Sequence, residues 1–118
     1  MIGGEWIGGT ERIVVRSPYS GELLGEAASA GPDELESAIA NAERAAKEMR
    51  GLARYEIAAG LRKITESLEA RKEEFAQTIT AESAKPITLA RGEVDRAIAT
   101  FRFASGEAER FCGEVVPV

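Results

Sequence analysis

Few residues of this chain have the type and spacing that chemistry demands. The single cysteine, Cys112, falls at the end of a helical segment beside Arg110 and Phe111. A nucleophilic thiolate is favoured at a helix N-terminus or next to a base, and the C-terminal end of a helix dipole is negative, so Cys112 reads as a small buried or semi-buried thiol and not as a catalytic residue. There is no histidine, which removes the usual general base near neutral pH and the commonest transition-metal ligand. No metal site and no catalytic residue is therefore expected. Gly3-Gly4 and Gly8-Gly9 lack the strand, glycine turn and helix arrangement that aims backbone amides at a phosphate, and no G-x-x-x-x-G-K-[ST] occurs. They read as turn glycines. Glu34, Glu36, Glu73, Glu74 and Glu93 fall where helices would show them to solvent. An acid/base pair needs one carboxyl held in an apolar pocket, and the sequence alone offers no such pair.

The run Glu93-Val94-Asp95-Arg96 differs, because it lies in the middle of the most apolar helical segment. Arg96 falls off the apolar stripe, with Glu93 at i−3 and the Gly92 backbone at i−4 as its available partners. By itself the run reads as a surface helix pair.

The elements that must position these residues follow from patterning. Residues 1–30 are rich in glycine and strand formers, and predict three short strands near Glu5 to Ile7, Ile13 to Arg16 and Leu23 to Ala28. Between the last two, Pro18 presets its own φ and Gly21 can take a positive one. From Gly31 the composition turns to alanine, glutamate, lysine and arginine at helical spacing. Pro32, Asp33 and Glu34 suit a first turn, and Leu35, Ile39, Ala42, Ala46 and Met49 form a stripe. After Gly51 a second stripe runs through Ile57, Leu61, Ile64 and Leu68, then Phe75 and Ile79 beyond the charged run Arg71 to Glu74. This predicts two helices or one kinked helix, ending near Lys85 because Pro86 disfavours α conformation before it. Pro86 opens a fourth helix whose Ile87, Ala90, Val94, Ile98, Phe101, Ser105 and Ala108 share a face, with Gly113 placed to stop it. Glu114 to Val118 reads as the start of a strand, and such a stop inside an apolar run suggests a piece of a longer chain.

Composition bounds the rest. At 118 residues, 44 % hydrophobic and 30 % charged, the chain suits one soluble domain with a modest core. Its net charge of −5 is spread without a basic block, so nucleic acid is not an expected partner. No apolar run approaches the ~20 residues that cross a bilayer, so no membrane partner is expected. One cysteine and no leader make the cytoplasm the expected compartment.

Several segments, in order, resemble the opening of the NAD(P)-dependent aldehyde dehydrogenase superfamily. Gly4-Glu5-Trp6 is similar to its first strand, and Ser17-Pro18-Tyr19-Ser20-Gly21-Glu22 to its N-P-x-[TS]-G-E turn. Arg54, Leu61, Ile64 and Leu68 are similar to its R-x(n)-L-x-x-I-x-x-x-L helix. Glu82-Ser83-Ala84-Lys85-Pro86, Ala90, Glu93-Val94-Asp95-Arg96, Phe103-Ala104 and Gly113-Glu114-Val115-Val116-Pro117 resemble E-[ST]-G-K-P, A-x-x-E-V-x-x-A, the [YF]-A pair and the G-x-x-[IV]-P ending. Ala84 replaces the usual glycine, which argues against a left-handed helix cap there. Met49-Arg50 stand in place of a tryptophan, and Ser17 in place of asparagine.

The resemblance implies an α/β parent several times longer, with cofactor-binding and catalytic domains and an oligomerisation hairpin. This stretch would be mainly α-helical, about four helices with a short N-terminal antiparallel hairpin or meander. Residues 1–118 would be the N-terminal part of the cofactor-binding domain: strands and turns over 1–30, helices over 31–113, and a strand start over 114–118. The parent would oxidise an aldehyde to the carboxylic acid with NAD or NADP accepting hydride, through a cysteine, a glutamate and oxyanion donors located downstream. The stretch alone would be inactive and hold no cofactor. Its partners would be the remaining polypeptide, an aldehyde carrying an anion or hydroxyls, and further copies in a homo-oligomer. In branches resembling lactaldehyde and non-phosphorylating glyceraldehyde-3-phosphate dehydrogenases, the arginine of E-V-x-R faces the substrate tunnel. Arg96 occupies that position and is the implied substrate-binding residue. The alternative is a stand-alone helical module that binds a protein through its apolar stripe, without catalysis.

Overall fold

Two helices begin in the same way, on a glutamate three residues in. The Glu34 carboxylate accepts a hydrogen bond from the Gly31 N–H at 2.8 Å, and that of Glu56 accepts one from the Ala53 N–H at 2.7 Å. Neither Gly31 nor Ala53 has a side-chain acceptor, so each start keeps the glutamate half of a capping box. The computed structural model describes residues 1–9, 11–113 and 115–116. Its elements are β1 (Glu11–Arg16), β2 (Leu23–Ser29), α1 (Pro32–Gly51), α2 (Arg54–Ala70), α3 (Lys72–Ser83) and α4 (Ile87–Arg110). They fall into two compact units, one of Met1–Gly51 with Ala81–Ala84, the other of Leu52–Thr80 with the chain from Lys85 onwards.

In the first unit β1 and β2 form an antiparallel hairpin, with Glu11 opposite Ser29, Val15 opposite Gly25 and a register shift before Arg16. The Ser17 N–H donates to the Glu22 carbonyl and the Gly21 N–H to the Ser17 carbonyl, each at 2.9 Å, with Gly21 at φ 74°. The turn uses Gly21 as its sequence requires. The strand expected near Glu5 to Ile7 does not form. An isolated bridge between Ile2 and Glu5 stands there instead, because Gly3 and Gly4 both adopt positive φ, 61° and 89°, and fold the chain back on itself. α1 runs as one helix, but none of its residues is buried: Leu35, Ile39 and Met49 are about half exposed.

The second unit holds the core. Ala58, Ala76 and Ala90 are fully buried, Val94 and Ile98 nearly so, with Leu68, Phe75, Ile79 and Ile87 packed around the α3–α4 cluster. Alanines at the contact let helix backbones approach closely, since the interaxial distance follows the side chains between them. α2 lies along α4, and the Ser105 hydroxyl donates to the Ala58 carbonyl at 3.0 Å across that contact. The expected α4 face is therefore the buried one. The alternative of two helices rather than one kinked helix holds, with Arg71 capping α2 and carrying an exposed ion pair to Glu74 at 2.5 Å. α4 ends at Arg110, three residues before Gly113. The strand expected over 114–118 falls on positions 114, 117 and 118, which lie outside the described residues. Val115 and Val116 belong to no strand and are exposed.

Ala84 corrects the expectation drawn from its missing glycine. It sits at φ 56°, in the left-handed region, directly after α3. The reversal into Lys85-Pro86 is kept although a β-carbon there costs roughly 1–2 kcal/mol. Ala84→Gly is accordingly expected to raise the unfolding free energy by about 1 kcal/mol after the glycine's extra unfolded-state entropy is subtracted. An unchanged or lowered denaturant midpoint would show that the position carries no strain.

Candidate functional site

α4 has two unlike faces. Ala90, Val94, Ile98 and Ser105 are buried, whereas Leu89, Arg96 and Phe103 are exposed. Seven residues make nearly two whole helical turns, so these last three lie in one row along the outer surface. Leu89 and Phe103 are 63 % and 77 % exposed, which makes the row an apolar strip with a guanidinium at its centre. Gly92 and Ala99, one turn to either side, are too small to cover that group. Thr100 turns its hydroxyl to the Arg96 carbonyl at 2.9 Å, back into the helix.

Charge pairing separates Arg96 from its neighbours. α4 carries four arginines, Arg91, Arg96, Arg102 and Arg110. Arg91 forms a two-pronged pair with Glu73, at 2.7 and 2.9 Å. Arg102 pairs with Glu69, and Arg110 with Glu107. Among the described residues Arg96 makes no ion pair, so the surface pair with Glu93 that the sequence allowed does not form. Glu93 is instead held by the Lys85 ammonium, in the least exposed of the ion pairs among the described residues. The hydrogen bond and charge of Lys85 hold the Glu93 carboxyl below the usual carboxylate range, with the charge of Arg96 a smaller contribution.

The spacing placed Glu93 on a solvated helix face, but it is half-buried and engaged. Lys85 stands eight residues before Glu93 and on the far side of Pro86, so helical periodicity carried no signal for this contact. Glu73 and Glu74 match their expected exposed setting, each lowered by its arginine, Arg91 and Arg71 respectively. Cys112 is exposed, not the buried or semi-buried thiol expected. Among the described residues no group of three or more cysteines or carboxylates could hold a metal ion, and no helix is long and apolar enough to cross a membrane.

The first unit has an open, mainly apolar groove of about 990 Å3 lined by Ile2, Trp6, Ile7, Ala28, Leu35 and Ala38 among others. It holds no cluster of groups suited to bond-making chemistry. Gly9 comes so near the second strand that a β-carbon built on it would lie 2.1 Å from the Ser29 carbonyl oxygen. This glycine serves a close backbone approach, which the turn reading did not anticipate.

Residues 6–118 match the model of the aldehyde dehydrogenase family. Lactaldehyde dehydrogenase of Methanococcus aeolicus is 38 % identical, aligned over 99 % of this chain and 25 % of its own length. 3-Sulfolactaldehyde dehydrogenase of Priestia megaterium is 36 % identical over 99 % of this chain and 24 % of its own. Among solved structures, the NADP-dependent glyceraldehyde-3-phosphate dehydrogenase of Bacillus halodurans, complexed with NADP, superposes with a TM-score of 0.93. It is 34 % identical and covers 97 % of this chain and 24 % of that one. The chain thus spans about a quarter of the length of the relatives it matches.

Proposed function

The chain belongs to the aldehyde dehydrogenase family, and we propose that it is the N-terminal part of an enzyme that oxidises an aldehyde carrying an anion or hydroxyls to the corresponding acid. In this reading residues 1–118 form the outer part of the cofactor-binding domain, and Arg96 stands on one wall of the substrate tunnel. The observation that carries it is the row Leu89–Arg96–Phe103, where one unpaired guanidinium is framed by exposed apolar side chains. Such a strip suits the carbon chain of a substrate, and the guanidinium suits an oxygen-rich group at its far end. The names of the relatives fit, one acting on a hydroxyaldehyde, one on a sulfonate and one on a phosphate ester.

NAD or NADP would accept the hydride in the whole enzyme. The described residues do not themselves fit its diphosphate. Gly3, Gly4 and Gly21 spend their positive φ on turns, and the amide before α1 is already taken by the Glu34 carboxylate. The groups that grip the nucleotide, and those that carry out the reaction, are assigned to the remainder of the chain. This stretch alone is expected to be inactive. Homo-oligomer formation through that remainder, in the cytoplasm, belongs to the same proposal. The relatives reported are all dehydrogenases, so a stand-alone interaction module has no observation in its favour.

The test uses the full-length enzyme. A charge-assisted hydrogen bond contributes roughly 1.5–3 kcal/mol, so Arg96→Leu is expected to reduce kcat/KM for an anionic aldehyde about ten- to a hundredfold relative to an uncharged apolar one. An unchanged ratio would sink the assignment of Arg96.

A further inference from the structure

We infer that Lys85 is a positioning residue for substrate selection: by engaging the Glu93 carboxylate it keeps Arg96 unpaired and available to a substrate anion. The inference rests on the reading of Arg96 as the anion-binding group.

Glu107 and Arg110 stand three residues apart on α4, and they pair. Glu93 and Arg96 have the same spacing, the same order and the same helix, and they do not. Glutamate and arginine at i and i+3 ordinarily attract one another, so something must withhold Glu93. That agent is Lys85, which enters from the segment before Pro86 and places its ammonium on Glu93 Oε2. The contact is more sheltered than the ion pairs around it, with the two side chains 37 % and 39 % exposed. The other three arginines of α4 are each neutralised by a glutamate. Lys85 diverts Glu93 from Arg96 much as Lys72 diverts Asp95, four residues from Arg91. Arg91 has Glu73 in its place, whereas Arg96 has no substitute carboxylate among the described residues and stands in the row of exposed apolar side chains. Without Lys85, the Glu93 carboxylate could swing one turn along the helix and both neutralise Arg96 and repel an incoming anion.

The inference is tested in the full-length enzyme by measuring KM and kcat separately, for an aldehyde bearing a sulfonate and for an uncharged apolar aldehyde of similar length. Lys85→Met is expected to raise KM for the sulfonate about three- to tenfold, with kcat and the neutral KM within about twofold of the parent. Lys85→Arg should restore the sulfonate KM. The decisive variant is Lys85→Met combined with Glu93→Gln, which removes the freed carboxylate and is expected to return KM to the parent value. If the double variant stays as impaired as Lys85→Met, or Lys85→Met leaves the sulfonate KM unchanged, the inference is overturned. Arg96→Leu in parallel distinguishes the two levels. Loss of anion preference there with no effect at Lys85 removes this inference alone, whereas no effect at Arg96 removes the underlying reading as well. Should Lys85→Met fail to fold, Glu93→Gln by itself decides. A sulfonate KM within twofold of the parent fits a carboxylate already withheld, and a fall of threefold or more shows that it was neutralising Arg96 all along.

Discussion

Truncating Ile98 to alanine is expected to lower the unfolding free energy of the 118-residue chain by about 2–5 kcal/mol, through lost transfer energy and the cavity left behind. Ile98 is 6 % exposed and packs in the α3–α4 cluster with Ala76, Ala90 and Val94. No large side chain among the described residues is fully buried, so the core is thin and neighbouring alanines cannot move in to fill a vacancy. Leu89→Ala removes a similar volume from the opposite face of the same helix, where the leucine is 63 % exposed. That change is expected to fall within about 0.5 kcal/mol of the parent chain. Denaturant unfolding of the two variants side by side is the check. Equal destabilisation would mean that the inward and outward faces of α4 are wrongly assigned, and with them the outward position of Arg96.

Gly9→Ala is expected to destabilise the first unit by about 1–3 kcal/mol, the usual cost of forcing atoms into a filled space. The added methyl would stand 2.1 Å from the Ser29 carbonyl oxygen, and that atom belongs to backbone with no rotamer to adopt. Gly8 is its control: a β-carbon there meets nothing within 4 Å, so Gly8→Ala should leave stability nearly unchanged. Amide hydrogen exchange of β2 would show faster opening for Gly9→Ala alone. Like protection in both variants would refute the close approach.

These two glycines mark where sequence reading stopped. Adjacent and identical, both read as turn residues, and only the path of β2 past Ser29 separates them. The missing strand at Glu5 to Ile7 has a similar cause. Its residue types suit a strand, but a strand also needs a partner, and the double positive φ at Gly3 and Gly4 turns the segment onto Ile2 instead. Ala84 shows the opposite override, since propensity argued against a left-handed cap and the reversal into Lys85-Pro86 imposed one.

What the sequence determined by itself is whatever depends on near neighbours. Helical periodicity placed the helical stretches and the buried face of α4, because residues three and four apart share a surface whatever lies opposite. That the middle stretch is two helices, α2 and α3, and not one kinked helix was decided by the fold. Turn chemistry placed the hairpin tip at Gly21, and the order of short motifs carried the family. The identity of Arg96 as a candidate was legible in the same way. Its freedom was not. That Arg91, Arg102 and Arg110 are neutralised while Arg96 is spared depends on Glu73, Glu69, Glu107 and Lys85. Of these only Glu107 lies within a helical turn of the arginine it serves. The others come from α2, α3 and the segment before Pro86, and only folding brings charges so far apart in the chain to within reach of one another.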